Sequence, residues 1–193
     1  MRLCFVTGNG SKFTTAKNIL SSYGIDLIQV EVPIYEPRSE DISFISKQKA
    51  IQAGTIIHEP LIVEDSGLFI NSLNGFPGSF INHALKTIGV HGIFALLRDK
   101  PKDCEFRFTL TYWTPTGVIE QFNFVNPGMI TEMFQNITEI NTEWSDLSKI
   151  FVPQGFNNTL SSMNAMQREQ YEKSWAERSH FRKFGEWLVK NIN

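Results

Sequence analysis

Cysteine is scarce, with only Cys4 and Cys104 in 193 residues. Two thiols in strand-like segments exclude a disulfide-stapled secreted scaffold, and they read as reduced, buried side chains. No apolar run approaches the ~18 residues of a membrane span. Leu3–Val6 is too short for a signal-peptide core before Thr7-Gly8-Asn9. The chain is therefore expected in the cytoplasm, without a membrane partner. The acceptor-like Asn136-Ile137-Thr138 and Asn157-Asn158-Thr159 are then coincidental. An excess of one charge is also missing: 18 Lys+Arg against 20 Asp+Glu leave −2. No global basic field recruits nucleic acid, although a local phosphate site stays open. No internal repeat or low-complexity tract is visible, and the length suits one domain over residues 1–193.

Aromatic residues are plentiful, with 16 Phe, 4 Tyr and 4 Trp, enough for a sizeable core. The apolar run Leu3–Val6, ended by Gly8, reads as a buried strand. Ala16, Ile19, Leu20 and Tyr23 share one helix face, with Gly24 as the stop. Leu27–Val32 reads as a strand ended by Pro33, residues 42–54 as a helix, and Leu61-Ile62-Val63 as another buried strand. This β-α-β-α-β opening is the pattern of an α/β sheet. Further on, Gly75-Phe76-Pro77-Gly78 is a rigid loop before a helix from Phe80, and a short helix covers 91–97. Phe106, Phe108, Leu110 and Tyr112 alternate with Arg107, Thr109 and Thr111, the period of a half-exposed strand. After the turn Thr114-Pro115-Thr116-Gly117, residues 118–125 return as the second arm of a hairpin. The end of the chain is helical, most securely from Trp175 or Phe181 through Ile192. The expected fold class is α/β with a mixed sheet.

Four places carry chemistry. Thr7-Gly8-Asn9-Gly10-Ser11-Lys12 joins strand to helix, and free N–H groups at a helix start favour anions. With Lys12 and Lys17 nearby it is a triphosphate cradle or an ordinary tight turn, and its spacing is not that of a P-loop. Glu64-Asp65-Ser66-Gly67 follows a buried apolar run, so the acids either hold Mg²⁺ and a water or simply end a strand in solvent. The Ser66-Gly67 pair suggests a turn that places both acids at the strand end. Among Glu36, Glu40 and Asp41, the first is the better metal candidate, and Ser39 or, in preference, Asp41 reads as the cap of the second helix. Ser179-His180-Phe181-Arg182-Lys183 either contacts a base or phosphate or lies on a solvated helix surface. Trp144 and Asp146 either hold a base or anchor packing.

In this order the motifs resemble the inosine triphosphate pyrophosphatase family across nearly the whole chain. They are Thr7-Gly8-Asn9-x-x-Lys12, an acidic loop, Glu64-Asp65-Ser66-Gly67-Leu68, Gly75-x-Pro77-Gly78 and Ser179-His180. The resemblance implies an elongated mixed β-sheet flanked by helices, two lobes around a central cleft, and a homodimer. It implies Mg²⁺-dependent hydrolysis (Mn²⁺ as a possible substitute) of non-canonical purine nucleoside triphosphates to monophosphate and pyrophosphate. Thr7, Gly8, Asn9 and Lys12 would hold phosphates, with Asp65 as general base and Lys12 assisting catalysis. Glu36, Glu64 and Asp65 would serve the metal. Ser66, Gly67, Gly75, Pro77, Gly78 and Phe80 would line the nucleotide site. Trp144, Asp146, Lys173, Ser179, His180 and Arg182 would read the base. The chain departs from the family pattern at Ile34, where an acid is usual, at Phe181, where Arg is usual, and in Trp144-Ser145-Asp146-Leu147, which lacks a proline and carries an extra residue. These departures leave open another base preference, or a sensor that binds nucleotide without cleaving it.

Overall fold

In the computed structural model, which describes residues 1–131 and 146–191, the apolar run at the N-terminus forms β1 (Arg2–Val6). Its side chains are buried on both faces, as a central parallel strand requires. Asn9 caps α1 (Gly10–Leu20), which ends in a short 3₁₀ turn and Gly24 at φ 71°. Then follow β2 (Asp26–Val30), α2 (Ile42–Ile57) and β3 (Leu61–Ile70). Asp41 does cap α2, its carboxylate accepting from the Ser43 and Phe44 amides. The remaining elements are β4 (Pro77–Gly78), α3 (Ile81–Thr87), α4 (Gly89–Leu96), β5 (Asp103–Trp113), β6 (Ile119–Ile130), β7 (Phe151–Pro153), α5 (Ala165–Arg178) and α6 (His180–Asn191). The strands run β2-β1-β3-β5-β6-β7, with β4 on β3. Strand β1 is parallel to β2 and β3, while β4 and β7 are antiparallel to their neighbours, so the sheet is mixed.

Three details differ from the sequence reading. Strand β3 does not stop at Ser66-Gly67 but runs on to Ile70. Pro77 and Gly78, expected in a loop, pair with Phe69 and Leu68. The C-terminal helix is two helices, broken at Ser179, whose hydroxyl accepts from the Arg182 amide and so caps α6.

The chain divides into two compact units, the first formed by Met1–Ser66, Phe108–Phe124 and Trp175–Asn193, the second by Gly67–Arg107 and Val125–Ser174. In the first unit the sheet has helices on both faces. Leu3, Phe5, Ile62, Leu110 and Tyr112 pack toward Ala16 and Leu20 of α1 and Phe181, Phe184 and Leu188 of α6. Cys4, Val6, Leu61 and Val63 pack toward Ala50 and Ala53 of α2. Burial of Phe5, Phe181 and Phe184 stabilises by roughly 1.5–3 kcal/mol each. In the second unit Phe106 meets Phe151 edge-on at 4.7 Å, and buried Asn126 donates to the Tyr171 hydroxyl at 2.9 Å. Both cysteines are free and buried, as expected. Among the described residues no helix is long and apolar enough to cross a membrane.

Candidate functional site

The loop between β1 and α1 is held by its own polar side chains. The Asn9 carboxamide accepts from the Lys12 amide at 3.0 Å, the Thr7 hydroxyl accepts from the Asn9 amide, and Gln29 donates to the Thr7 carbonyl. The first turn of α1 holds no acid, so its N–H groups present positive potential unopposed from within the helix. A Cβ on Gly8 would lie 3.5 Å from the Glu31 carboxyl carbon, so that acid borders the loop. The Lys12 ammonium leaves the helix and reaches β3. It lies 3.1 Å from the Ser66 hydroxyl and 3.2 Å from Glu64 Oε1, an ion pair without hydrogen-bond alignment.

Strand alternation sends the two acids to opposite faces. Glu64 has the parity of Ile62 and lies on the α1/α6 side, its side chain only 2% exposed. Asp65 has the parity of Leu61 and Val63 and lies on the α2 side. Its Oδ1 accepts from the Ser66 amide at 2.9 Å. Its Oδ2 is buried with no hydrogen-bond partner among the described residues. Burial raises the Asp65 pKa, Lys49 and then Lys12 oppose that, the Ser66 amide opposes it further, and Glu36 adds to it. Carboxyl groups raised by burial are the ones suited to take up a proton in catalysis.

Lys49 was not singled out in the sequence. It lies on α2 one turn past Ser46, pairs with Glu36 at 3.4 Å and is largely buried. A lysine beside the stripe Ser46, Ala50, Ala53 was the available signal. Glu36 is near enough to influence Asp65. Glu64 points the other way, and among the described residues no three His, Cys, Asp or Glu side chains gather to hold a metal by themselves. Ile34 packs against the α2-side core, consistent with an apolar residue there.

The C-terminal motif is placed differently from the sequence reading. The solvated-surface alternative fails for His180, which is 0% exposed. Its ring stacks on Phe108 at 5.4 Å and Phe124 at 6.3 Å, with Trp175 edge-on and Phe181 adjacent. Neither ring nitrogen has a hydrogen-bond partner among the described residues. Burial, opposed by Glu64 and assisted by Lys12 and Lys183, lowers its pKa to about 4. The aromatic partners come from β5, β6 and α5, which no local window brings together. Ser179 is fully buried and spends its hydroxyl on the α5 and α6 backbones. Arg182 is exposed and pairs with Glu186 at 2.8 Å.

In the second unit, Gly67, Gly75, Pro77 and Gly78 come together through the β3–β4 pairing. A Cβ on Gly67 would meet the Gly78 carbonyl oxygen at 2.5 Å, so only glycine fits. Gly75 and Gly78 take φ 87° and 57°. The Gly75 amide bonds the Ile70 carbonyl, and the Phe80 amide bonds the Pro77 carbonyl. Phe80 is exposed, Asp146 pairs with Lys149, and Lys173 is exposed on α5. Trp144 lies outside the described residues.

A mixed α/β sheet with a lysine-bearing helix entrance beside two acids on one strand is an arrangement able to receive a polyanion. The model of the Ham1 family matches residues 3–178, and the chain belongs to that family. It is 32% identical over 193 residues to the dITP/XTP pyrophosphatase of Methanopyrus kandleri, covering 100% of this chain and 98% of that one. It is 32% identical over 189 residues to the dITP/XTP pyrophosphatase of Saccharolobus solfataricus, covering 97% and 94%. Among solved structures it is similar to a HAM1 protein from Coxiella burnetii, with TM-score 0.76, 17% identity and coverage of 100% and 98%. It is also similar to the nucleoside-triphosphatase / dITP/XTP pyrophosphatase of Mycobacterium abscessus, with TM-score 0.70, 21% identity and coverage of 90% and 95%.

Proposed function

We propose that this chain hydrolyses non-canonical purine nucleoside triphosphates, with deoxyinosine and xanthosine triphosphates as first candidates, to nucleoside monophosphate and pyrophosphate. The carrying observation is Lys12, which leaves the entrance of α1 and pairs with Glu64 one residue before Asp65. The relatives named dITP/XTP pyrophosphatase support the substrate class. The α1 entrance and Lys12 bind the phosphates and neutralise charge on the leaving pyrophosphate. Glu64 orients Lys12. Asp65, its pKa raised by burial, accepts the proton of the attacking water.

The orphaned Asp65 Oδ2 and the nearby Glu36 carboxylate are hard oxygen donors, and they fit Mg²⁺ or Mn²⁺. They would hold the cation, whose chemistry there is neutralisation of phosphate charge. The same reading carries a single catalytic domain over 1–193 and a cytoplasmic setting, and the family resemblance adds a homodimer. Pure protein incubated with inosine, xanthosine, deoxyinosine and the common triphosphates, with and without Mg²⁺, should release pyrophosphate from the non-canonical purines first. No release from any of them refutes the proposal. Burial of His180 and the exposed Arg182–Glu186 pair favour a second reading, an altered base preference. The same panel reads it out as a changed substrate order.

A further inference from the structure

Helix α2 buries Ala50 and Ala53 in its second half, while its first half buries Ser46 alongside Ile42 and Ile45. There Ser43 and Ser46 meet Thr109 and Thr111 of β5 and Gln121 and Asn123 of β6. Ser46 and Thr111 are 0% exposed and Thr109 is 1% exposed. Alanine and valine would fill this space, so hydroxyls here need a reason.

The donors settle into two one-way chains. The Gln121 amide has two hydrogens, one on the Ser43 carbonyl at 2.8 Å and one on the Thr111 hydroxyl at 3.0 Å. With Ser46 donating to the Val63 carbonyl at 3.2 Å, Thr111 must donate to Ser46 across 2.8 Å. Thr109 donates to Asn123 Oδ1 at 2.8 Å, so Ser43 donates to Thr109. Each of the four hydroxyl hydrogens and both Gln121 amide hydrogens has one destination, as in a connected network that specifies a single arrangement.

Ser46 thus ties α2 to β3 two residues before Asp65 and three residues before Lys49 on its own helix. Apolar contacts tolerate a helix sliding along a sheet, whereas directional bonds fix its height. We propose that Ser46 is a positioning residue for the reaction: the chain from Gln121 through Thr111 and Ser46 to the Val63 carbonyl sets where the Lys49 ammonium, paired with Glu36 at 3.4 Å, stands on the Asp65 side of the sheet. This rests on the pyrophosphatase reading above.

The test is steady-state kinetics on the best substrate of the wild-type protein, with a melting temperature for each variant. Ser46→Ala and the isosteric Thr111→Val should each lower kcat about tenfold with KM changed less than twofold. Thr111→Ser, which keeps the hydroxyl, should restore the rate. In a Lys49→Met background Ser46→Ala should cost no more than twofold further, because its effect passes through Lys49. Equal losses in both backgrounds mean general loosening and overturn the proposal, as does an unchanged kcat in Thr111→Val. Should Ser46→Ala fail to fold, the Thr111→Val and Thr111→Ser pair in both backgrounds decides alone. An inactive wild type overturns the pyrophosphatase reading and this inference with it. An active wild type with the wrong variant pattern overturns this inference only.

Discussion

Acid should unfold this protein partly through one imidazole. The ring of His180 is stacked between Phe108 and Phe124, fully buried, with neither nitrogen bonded among the described residues. Burial strips a proton taken up there of its solvation, the Glu64 carboxylate compensates only in part, and the pKa falls from 6.5 to about 4. Between those values the unfolded chain binds this proton and the folded one does not, so stability rises with pH. The contribution is full above about pH 6.5 and is lost as pH falls toward 4. A difference of roughly 2.5 pKa units at about 1.4 kcal/mol each amounts to about 3 kcal/mol. For a chain of this size that is about 6–12 °C in Tm. The measurement is Tm from pH 7.5 to pH 4 for wild type and for His180→Phe, a ring-for-ring exchange in an aromatic cage. Other titrating groups are shared and cancel in the difference. The wild type should lose about 6–12 °C more than the variant over this range. Parallel curves would show that His180 protonates as freely when folded as when unfolded, and the burial argument would fail. In the folded wild type, the ring resonance of His180 should also stay that of the neutral form down to about pH 5.

Two further predictions concern β3. Asp65→Asn should lower turnover about 10²-fold or more if Asp65 takes the water's proton, yet raise the Tm of the ligand-free protein, because burial penalises the charged form. An unchanged rate removes Asp65 from the chemistry, and a lowered Tm means that Lys49 and Lys12 outweigh burial. Gly67→Ala should destabilise by about 1–3 kcal/mol in denaturant unfolding, since its Cβ would meet the Gly78 carbonyl oxygen at 2.5 Å. A neutral result would show that β4 yields easily.

What was legible in the sequence is what local pattern controls. The apolar run of β1, the face of α1, the Asp41 cap and the alternation of β5 all follow from spacing within a few residues. The cradle and the acids were legible as motif order, and the fold brings Lys12 to Glu64 while turning Asp65 to the α2 side of the sheet. What escaped depends on distant partners. Ser66-Gly67 has turn composition, yet it stays extended because Gly67, lacking a Cβ, accepts the close approach of Gly78 from the short strand beside it. His180 has basic neighbours in sequence but aromatic neighbours in space, drawn from β5, β6 and α5. Lys49 carries no motif, and its meaning comes from Glu36 and Asp65.

Glu64 and Asp65 are consecutive letters that serve two separate neighbourhoods, one shared with Lys12 and the other with Lys49 and Glu36. Writing them in reverse order would preserve composition, charge and strand propensity, yet each lysine would face an acid of the wrong reach. Deleting a single residue from Leu61-Ile62-Val63 would do worse, turning both carboxylates through the sheet and exchanging their partners. The segment is therefore read by the fold as a phase, and its tolerance to change is set by counting in twos.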